Sequence, residues 1–371
     1  VAVLPASAIE FGGTLDDNTK FAGATVNGLS LDQSNTLTTW VRAPFNNAGT
    51  MYLAVEGLFK YEYFQTTESY QLTADLDLFK FGSTSKFKGN KTLSISAGRF
   101  SESDATNIIL TQTCDGALVQ FKMKRISLSA FGGYTGLLNA KQITILNSPS
   151  SSYSYDTTSM YALAAPYAIC AAGISAPYIF ANQSIGMQLF SFFGTASTTS
   201  GYNRLYGTLT LNGPLASNIF YTMTETIGSS TTASVSNLSQ LQISYYPNFK
   251  SASINVTGIY ASGNNGPFKT FTGFTSNAAT FAMDSPEYTG LIKAGLSASL
   301  KPISQLYIAA GCDCIFACPE DSVSYDGFQF YGNTLYQLFT DVQLGLSGQQ
   351  YFDVNNETNK TCFTAKAVIS F

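Results

Sequence analysis

Asp75 and Asp77 stand two apart, the spacing that puts both carboxyls on one face of an extended strand, about 7 Å apart. Paired carboxylates in that range serve glycoside hydrolysis, but the same pair is also what a wet interior wall carries, and the wall is the expectation here. Cys312, Cys314 and Cys318 form a second cluster. Its C-x-C-x3-C spacing is not that of a zinc ribbon, and the 371-residue chain has no His to complete a metal site. The missing His also excludes Ser-His-Asp and Cys-His nucleophilic machinery and an imidazole proton switch. Asp16–Asp17 and Glu320–Asp321 are adjacent acids expected in solvated loops, and no loop gathers the converging oxygen ligands that calcium needs. The expectation is a protein that is not an enzyme and carries neither cofactor nor metal.

Charge sets the next limit. Nineteen basic and 23 acidic residues make up 11% of the chain, with net charge −4. An ordinary soluble protein has roughly 25% charged residues. Nucleic acid is excluded as a partner, because phosphate binding needs clustered Lys and Arg. With 45% hydrophobic residues, disorder is excluded as well.

The elements that must position these residues are strands, because strict period-2 alternation runs through the chain. In 50–63, Met51, Leu53, Val55, Phe59, Tyr61 and Tyr63 share one face, and Tyr52, Glu56, Lys60 and Glu62 share the other. In 70–80, Tyr70, Leu72, Ala74, Leu76 and Leu78 alternate with Gln71, Thr73, Asp75 and Asp77. Segments 117–123, 203–211 and 290–300 repeat the pattern, with Lys122, Arg204 and Lys293 on their polar faces. The pattern predicts an all-β chain of about eighteen antiparallel strands, with sixteen as the alternative. They fall near 7–15, 34–43, 50–63, 70–81, 91–100, 115–123, 126–135, 168–180, 184–194, 203–212, 216–226, 238–246, 251–261, 287–299, 303–313, 328–339, 341–353 and 361–371. Connections are short at Pro44–Gly49, Lys124–Arg125 and Lys301–Pro302, and long at 101–114, 136–167, 262–286 and 314–327. This predicts a transmembrane up-and-down β-barrel, one domain over 1–371, with short periplasmic turns and long extracellular loops. The uncharged stretch 161–180 has the length of a membrane helix. Its Pro166, Gly173 and Pro177 predict instead a loop running into a lipid-facing strand.

In such a barrel the polar faces line the lumen, because a basic side chain facing lipid at midplane costs about 2–4 kcal/mol. Glu56, Lys60 and Glu62 then line one strand and Asp75 and Asp77 its neighbour. Lys122, Arg204, Lys293 and Lys366 point inward by the same phase. Opposed acidic and basic rows set a transverse field that selects ions, and the acidic balance leans toward cations. The loop after the fifth strand, 101–114, is where a constriction is expected, drawing on Arg99, Glu102, Asp104 and Asp115. Tyr61, Tyr63, Phe64 and Tyr70 suit an aromatic girdle at the outer end, and Trp40, Phe45 and Phe79 one at the inner end.

The last strand sets Phe363, Ala365, Ala367, Ile369 and Phe371 on one face, and Thr364, Lys366 and Ser370 on the other. An alternating final strand ending in Phe resembles the assembly signal of bacterial outer-membrane barrels, carried here by Phe363, Ile369 and Phe371. It implies outer-membrane lipid and the barrel-assembly machinery as partners. Gly98-Arg99-Phe100, Asp104, Asp115-Gly116 and Gly133-Tyr134-Thr135-Gly136-Leu137 are similar to motifs of spirochaete-type outer-membrane barrels. That resemblance implies a one-domain, porin-like barrel in the outer membrane and leaves its solute open. Val1–Ala8, with the small-x-small Ala6-Ser7-Ala8, reads either as the tail of an export signal or as a short strand. Cys114, Cys170, Cys312, Cys314, Cys318 and Cys362 all fall on the extracellular half of the strand map. This predicts disulfides that staple loops in an oxidising space, in one of fifteen pairings. The expected function is passive diffusion of small hydrophilic solutes or ions. A structural or adhesive surface barrel with a plugged lumen is the alternative, and a soluble all-β surface-layer or carbohydrate-binding protein the second. A homo-oligomer is compatible with a barrel, but no residue fixes its stoichiometry.

Overall fold

In the computed structural model the alternating segments become a wall. The structure describes residues 9–24, 28–143, 145–148, 151–152, 158–199, 202–231, 235–264, 268–275, 288–319, 322–354 and 359–371. The first strands are β1 (Glu10–Ala24), β2 (Gly28–Pro44), β3 (Met51–Phe64), β4 (Ser69–Phe87), β5 (Lys91–Ser103), β6 (Thr111–Lys122) and β7 (Ser127–Tyr134). A small hairpin, β8 (Leu146–Ser148) and β9 (Ser151–Ser152), sits in the following loop. The wall resumes with β10 (Tyr167–Ala176), β11 (Ser184–Gly194), β12 (Arg204–Ala216), β13 (Ile219–Ser230), β14 (Ser236–Tyr245) and β15 (Ser253–Ala261). It ends with β16 (Leu291–Ile303), β17 (Leu306–Ala317), β18 (Ser324–Gln337), β19 (Val342–Asp353) and β20 (Lys360–Ser370). Eighteen strands make one antiparallel sheet in which chain neighbours pair, β7 joins β10, and β20 closes onto β1. At the seam, Phe371 and Gly13 exchange backbone hydrogen bonds of 2.9 Å.

Cross-strand register fixes the faces. Ile292, Ala294, Leu296 and Ala298 of β16 share one side with Ile254 and Val256 of β15 and with Ala310, Cys312 and Cys314 of β17. Lys293, Gly295, Ser297 and Ser299 take the other side. The apolar row is the outside: Leu296 and Val256 are exposed, as are Leu344, Leu346, Phe363 and Ile369 elsewhere on the ring. Soluble proteins rarely expose a continuous apolar surface of this extent. Hydrocarbon is the solvent that fits it, and a closed ring satisfies the backbone without water. Among the described residues no helix is long and apolar enough to cross a membrane. The stretch 161–180 is loop up to Pro166 and then β10, with Cys170, Ala172 and Ile174 outward.

The strand count agrees with the alternation, but several bounds do not. β1 and β2 run well beyond 7–15 and 34–43, because their outward rows are interrupted by polar residues. Asp17 and Thr19 stand opposite Asn35 and Gln33, framed by Leu15 and Leu37 on one side and Phe21 and Leu31 on the other. Gln33 ties this island together: its Nε2 donates to Asp17 Oδ2 at 2.9 Å, and its Oε1 accepts from Thr19 Oγ1 at 2.6 Å. Asp16 and Asp17 are therefore mid-strand residues rather than loop acids. The loops expected over 101–114 and 314–327 shrink to 104–110 and 318–323, because β5, β6, β17 and β18 stay paired past the end of their apolar alternation. Glu320–Asp321 and Val1–Ala8 lie outside the described residues.

The wall forks between β4 and β5. These strands pair only from Phe79–Arg99 down to Phe87–Lys91; above that level β4 stays with β3 and β5 with β6. Two backbone devices make the fork. Leu76 pairs with Gly57 and Leu78 with Glu56, so Asp77 is bulged out of register. The bulge reverses the phase, so Leu78 turns inward, away from the outward row expected for it, and Phe79 turns out. On β5, Gly98 has φ +115°, and a Cβ there would lie 2.0 Å from the Phe79 carbonyl oxygen, so only glycine fits. The loop 135–166 fills the gap. The Ala74 N–H donates to Met160 O at 3.4 Å, Asn139 Nδ2 to Ala74 O at 3.3 Å, and Lys141 Nζ to Leu72 O at 3.2 Å. Leu137, Met160 and Leu163 of this loop are exposed, while Leu138, Ala140, Ala162 and Ala164 pack beneath.

Candidate functional site: the lumen and its constriction

The tip of the β5–β6 hairpin crosses the lumen. Asp104, 3% exposed, folds the loop 104–110 around its carboxylate. It accepts from Thr106 N at 2.7 Å, Thr106 Oγ1 at 2.5 Å, Leu110 N at 2.9 Å and Ile109 N at 3.1 Å. Burial pushes this carboxyl above its ordinary pKa, against the pull of those four donors. The loop reaches strands far around the ring: Ala105 N donates to Gln188 Oε1 on β11 at 2.8 Å, and Gln240 Nε2 on β14 donates to Thr106 O at 3.3 Å.

Two further loops lock onto it. Ile109 O accepts from Phe274 N at 2.8 Å and Thr275 N at 3.0 Å, and Phe274 O accepts from Leu146 N at 3.0 Å. Phe274 stacks on Phe192 with centroids 4.1 Å apart and meets Tyr167 edge-on at 5.1 Å. Arg204 faces inward, but it is spent on this plug. Its Nη1 donates to Gly273 O at 2.7 Å and its Nη2 to Leu146 O. Phe271 and Phe274 escaped the sequence reading. Their signal is aromatic residues in a Thr- and Gly-rich segment with no strand to sit on.

Other predicted residues fall in separate places. Among the described residues, the three loops bond to none of β1–β3 or β20. On that side Lys60 Nζ lies 2.6 Å from Glu62 Oε1, and Lys366 Nζ lies 2.5 Å from Asp16 Oδ2. Glu56 shares the inward face with Lys60. Trp40, opposite Glu56, also faces inward rather than joining the girdle, whereas Tyr61 and Tyr70 stack on the outside, 6.5 Å apart. Lys293 pairs with Asp313 at 3.8 Å across β16 and β17. Lys122 lines a 590 Å³ cavity beneath Ala105, with Gln120, Ser129, Gln188 and Asn212. Glu102 shares its face with Phe100, near Lys80, whose ammonium lies 5.2 Å from the Phe100 ring.

Arg99 stands at the fork, 8% exposed. Nε and Nη2 make a two-point contact with Asp115 at 2.8 and 2.9 Å, and Nη1 reaches Asp75 at 3.3 Å. Leu76 O, Leu137 O and the Tyr161 hydroxyl take up the remaining donors. The guanidinium thus rivets β4, β5, β6 and the gap-filling loop together. Lower on β5 and β6 the same face carries Ala97 and Ala117; here the loop covers it.

The disulfide expectation is corrected: all six cysteines are free. Cys170, Cys312 and Cys314 sit on outward rows. Cys114 is buried against the β5–β6 tip, Cys318 in a loop and Cys362 on the inward face of β20. Residues on opposite faces of non-adjacent strands cannot approach to the Cα separation of about 4.4–6.8 Å that a disulfide needs.

No protein-family model and no curated protein matches the chain. Solved structures do. Pseudomonas aeruginosa OccK2 (OpdF) superimposes with TM-score 0.66 at 11% identity, covering 98% of both chains. OccK11 (OpdR) of the same organism gives 0.65 at 10% identity, over 98% of this chain and 96% of that one. The P. aeruginosa outer membrane protein OpdK gives 0.63 at 8%, over 98% and 99%. At such identity the likeness is one of fold.

Proposed function

We propose that the protein is an outer-membrane diffusion channel for small hydrophilic solutes or ions. The observation that carries this is the side of the ring where Lys60, Glu62, Asp16 and Lys366 face inward and, among the described residues, none of the three plug loops bonds to the wall. Solutes would pass along β20 and β1–β3, sieved by loop 104–110 and sorted by the field of these charges. The acidic balance favours cations. The cargo class draws support from similar barrels, since OccK2 has been solved with glucuronate and OpdK with vanillate. Recognition of Phe363, Ile369 and Phe371 by the barrel-assembly machinery belongs to the same proposal. So does the narrower likeness to spirochaete-type barrels, which rests on the short motifs alone.

The apolar lock between the three loops favours a second reading, a plugged surface barrel with adhesive loops. Single-channel recording in planar bilayers decides between them. Stable, ion-selective steps are expected of the channel; a silent bilayer containing folded protein would leave only the plugged barrel.

A further inference from the structure

The short-turn end of the barrel is electropositive on one side. Residues 86–93 and 121–128 carry Lys86, Lys88, Lys91, Lys122, Lys124 and Arg125 and no acid, in a chain whose net charge is −4. They belong to two neighbouring hairpins. Phe87 pairs with Lys91 across the β4–β5 turn, which Gly89 (φ +78°) and Asn90 (φ +58°) close in the left-handed conformation. The Met123 N–H donates to Ile126 O at 2.8 Å, leaving Lys124 and Arg125 at the tip of the β6–β7 turn. β5 and β6 stay paired down to Thr92–Lys122. Both turns therefore stand on four consecutive strands, roughly 14 Å across at the usual strand spacing. All six cations are exposed, and none makes an ion pair among the described residues. Elsewhere on this end Arg42 lies 3.8 Å from Glu10, and Lys250 sits beside Lys301 across a backbone hydrogen bond of 3.0 Å.

Like charges crowded in this way repel one another, so the patch calls for an anion. The rungs above it say which one. Leu93 pairs with Phe121 and Phe121 with Leu128, on the outward face that also carries Ile95 and Val119. Phe87, 52% exposed, lies on that face with Lys91, one same-face step below Leu93. Met123 and Ile126 bracket Lys124 and Arg125 in the same way. Apolar side chains that meet hydrocarbon thus end directly on cations, the order of acyl chain and phosphate in a phospholipid. Lys86 and Lys122 take the inward phase and belong to the lumen. The outward face and the turns keep Lys88, Lys91, Lys124 and Arg125, and a cluster of four basic residues beside a membrane surface draws anionic lipid. A soluble polyanion would gain nothing from the apolar rungs.

We propose that the turns 88–90 and 123–126 bind the phosphodiester of anionic phospholipids in the leaflet that meets the short-turn end. Lys88, Lys91, Lys124 and Arg125 hold the headgroup, and the acyl chains lie along Leu93, Phe121 and Leu128. The inference does not rest on conduction, because a plugged barrel would present the same surface. The test is native mass spectrometry of the barrel in a neutral detergent, titrated with dioleoylphosphatidylglycerol. Dioleoylphosphatidylcholine serves as the net-neutral lipid and poly-L-glutamate as the soluble polyanion. The glycerol lipid should bind about tenfold more tightly than the choline lipid, and poly-L-glutamate should not displace it. Replacing Lys88, Lys91, Lys124 and Arg125 together by Gln should shrink the preference to about twofold or less. Lys124→Gln with Arg125→Gln should weaken it about threefold, and repeats the test should the fourfold variant fail to fold. Lys250→Gln with Lys301→Gln, on the same end but on other strands, should keep it. Equal binding of the two lipids overturns the proposal, as does an unchanged preference in the folded fourfold variant. Displacement by poly-L-glutamate overturns it in favour of a soluble acidic partner. An equal loss in Lys250→Gln with Lys301→Gln overturns it in favour of net charge alone.

Discussion

Arg99 is the residue on which the fork hangs, riveting β4, β5, β6 and the gap-filling loop together. Removing it leaves Asp75 and Asp115 in a largely dry place with no cation. Breaking a buried ion pair in this way costs about 3–5 kcal/mol. Arg99→Ala should therefore lower the urea midpoint of unfolding in detergent. Arg99→Lys should rescue little of it, because one ammonium cannot reach Asp75, Asp115 and three further oxygens. An unchanged midpoint in Arg99→Ala would mean that the fork is held elsewhere. Lys60 and Lys366 are the opposite case, half-exposed charges facing inward from β3 and β20. Reversing either to Glu should leave folding alone and move the zero-current potential in a KCl gradient toward that of K⁺. The shift should fade near 1 M salt, where the Debye length is about 3 Å.

At the level of the element, loop 104–110 takes its shape from one carboxylate. Asp104→Ala removes the acceptor for four donors, so the loop loses its shape before the wall loses its strands. Conductance should rise and current noise increase, with the circular dichroism of the strands unchanged; steps of wild-type size would show that the loop does not narrow the path. Gly98→Ala acts on the wall instead. Its methyl group would strike the Phe79 carbonyl at a φ that L residues avoid, so the expected result is poor folding yield. These two elements also mark how far the sequence could be read. Alternation revealed eighteen strands and the inward phase of Lys60, Lys293 and Lys366, because outward positions in a barrel must be apolar. It expected an inward loop after the fifth strand, and loop 104–110 does bond across to β11 and β14. It could not show the bulge at Asp77, which exchanges the faces of Leu78 and Phe79 with no change in composition. Nor could it show that Arg99 would be roofed by a loop whose Leu137 and Tyr161 lie 38 and 62 residues further on, a contact set by tertiary structure. The cysteines misled for a related reason: their height along the wall was legible, but the face each one occupies on strands far apart around the ring decides whether thiols meet.

On the scale of the whole molecule the barrel is divided lengthwise. Loops brace the wall from β4 to β15 from inside, with Phe192, Phe271 and Phe274 fully buried in the lock. Among the described residues none of these loops bonds to the wall from β20 through β3, and it is the wall that carries polar groups on its outer face as well. In the island of Asp17, Thr19, Gln33 and Asn35, Gln33 bonds to both Asp17 and Thr19, yet a carboxylate remains in an apolar row. Deleting Asp17 alone would strand the Gln33 amide, so the informative change is the pair. Asp17→Leu with Gln33→Leu removes the carboxylate and the amide together and leaves Thr19 and Asn35 as the polar residues of the two rows. The gain should be on the order of 1 kcal/mol, below the roughly 2–4 kcal/mol for a basic residue at midplane. It should appear as a higher temperature at which the compact band on detergent gels converts to the unfolded one. Since the island borders the unbraced half, this conversion should begin there. Slower amide exchange on β1 and β2 in the double variant, with β11 to β14 unchanged, is the matching local signature. A lower conversion temperature would mean that the island is needed for the wall to hold its register.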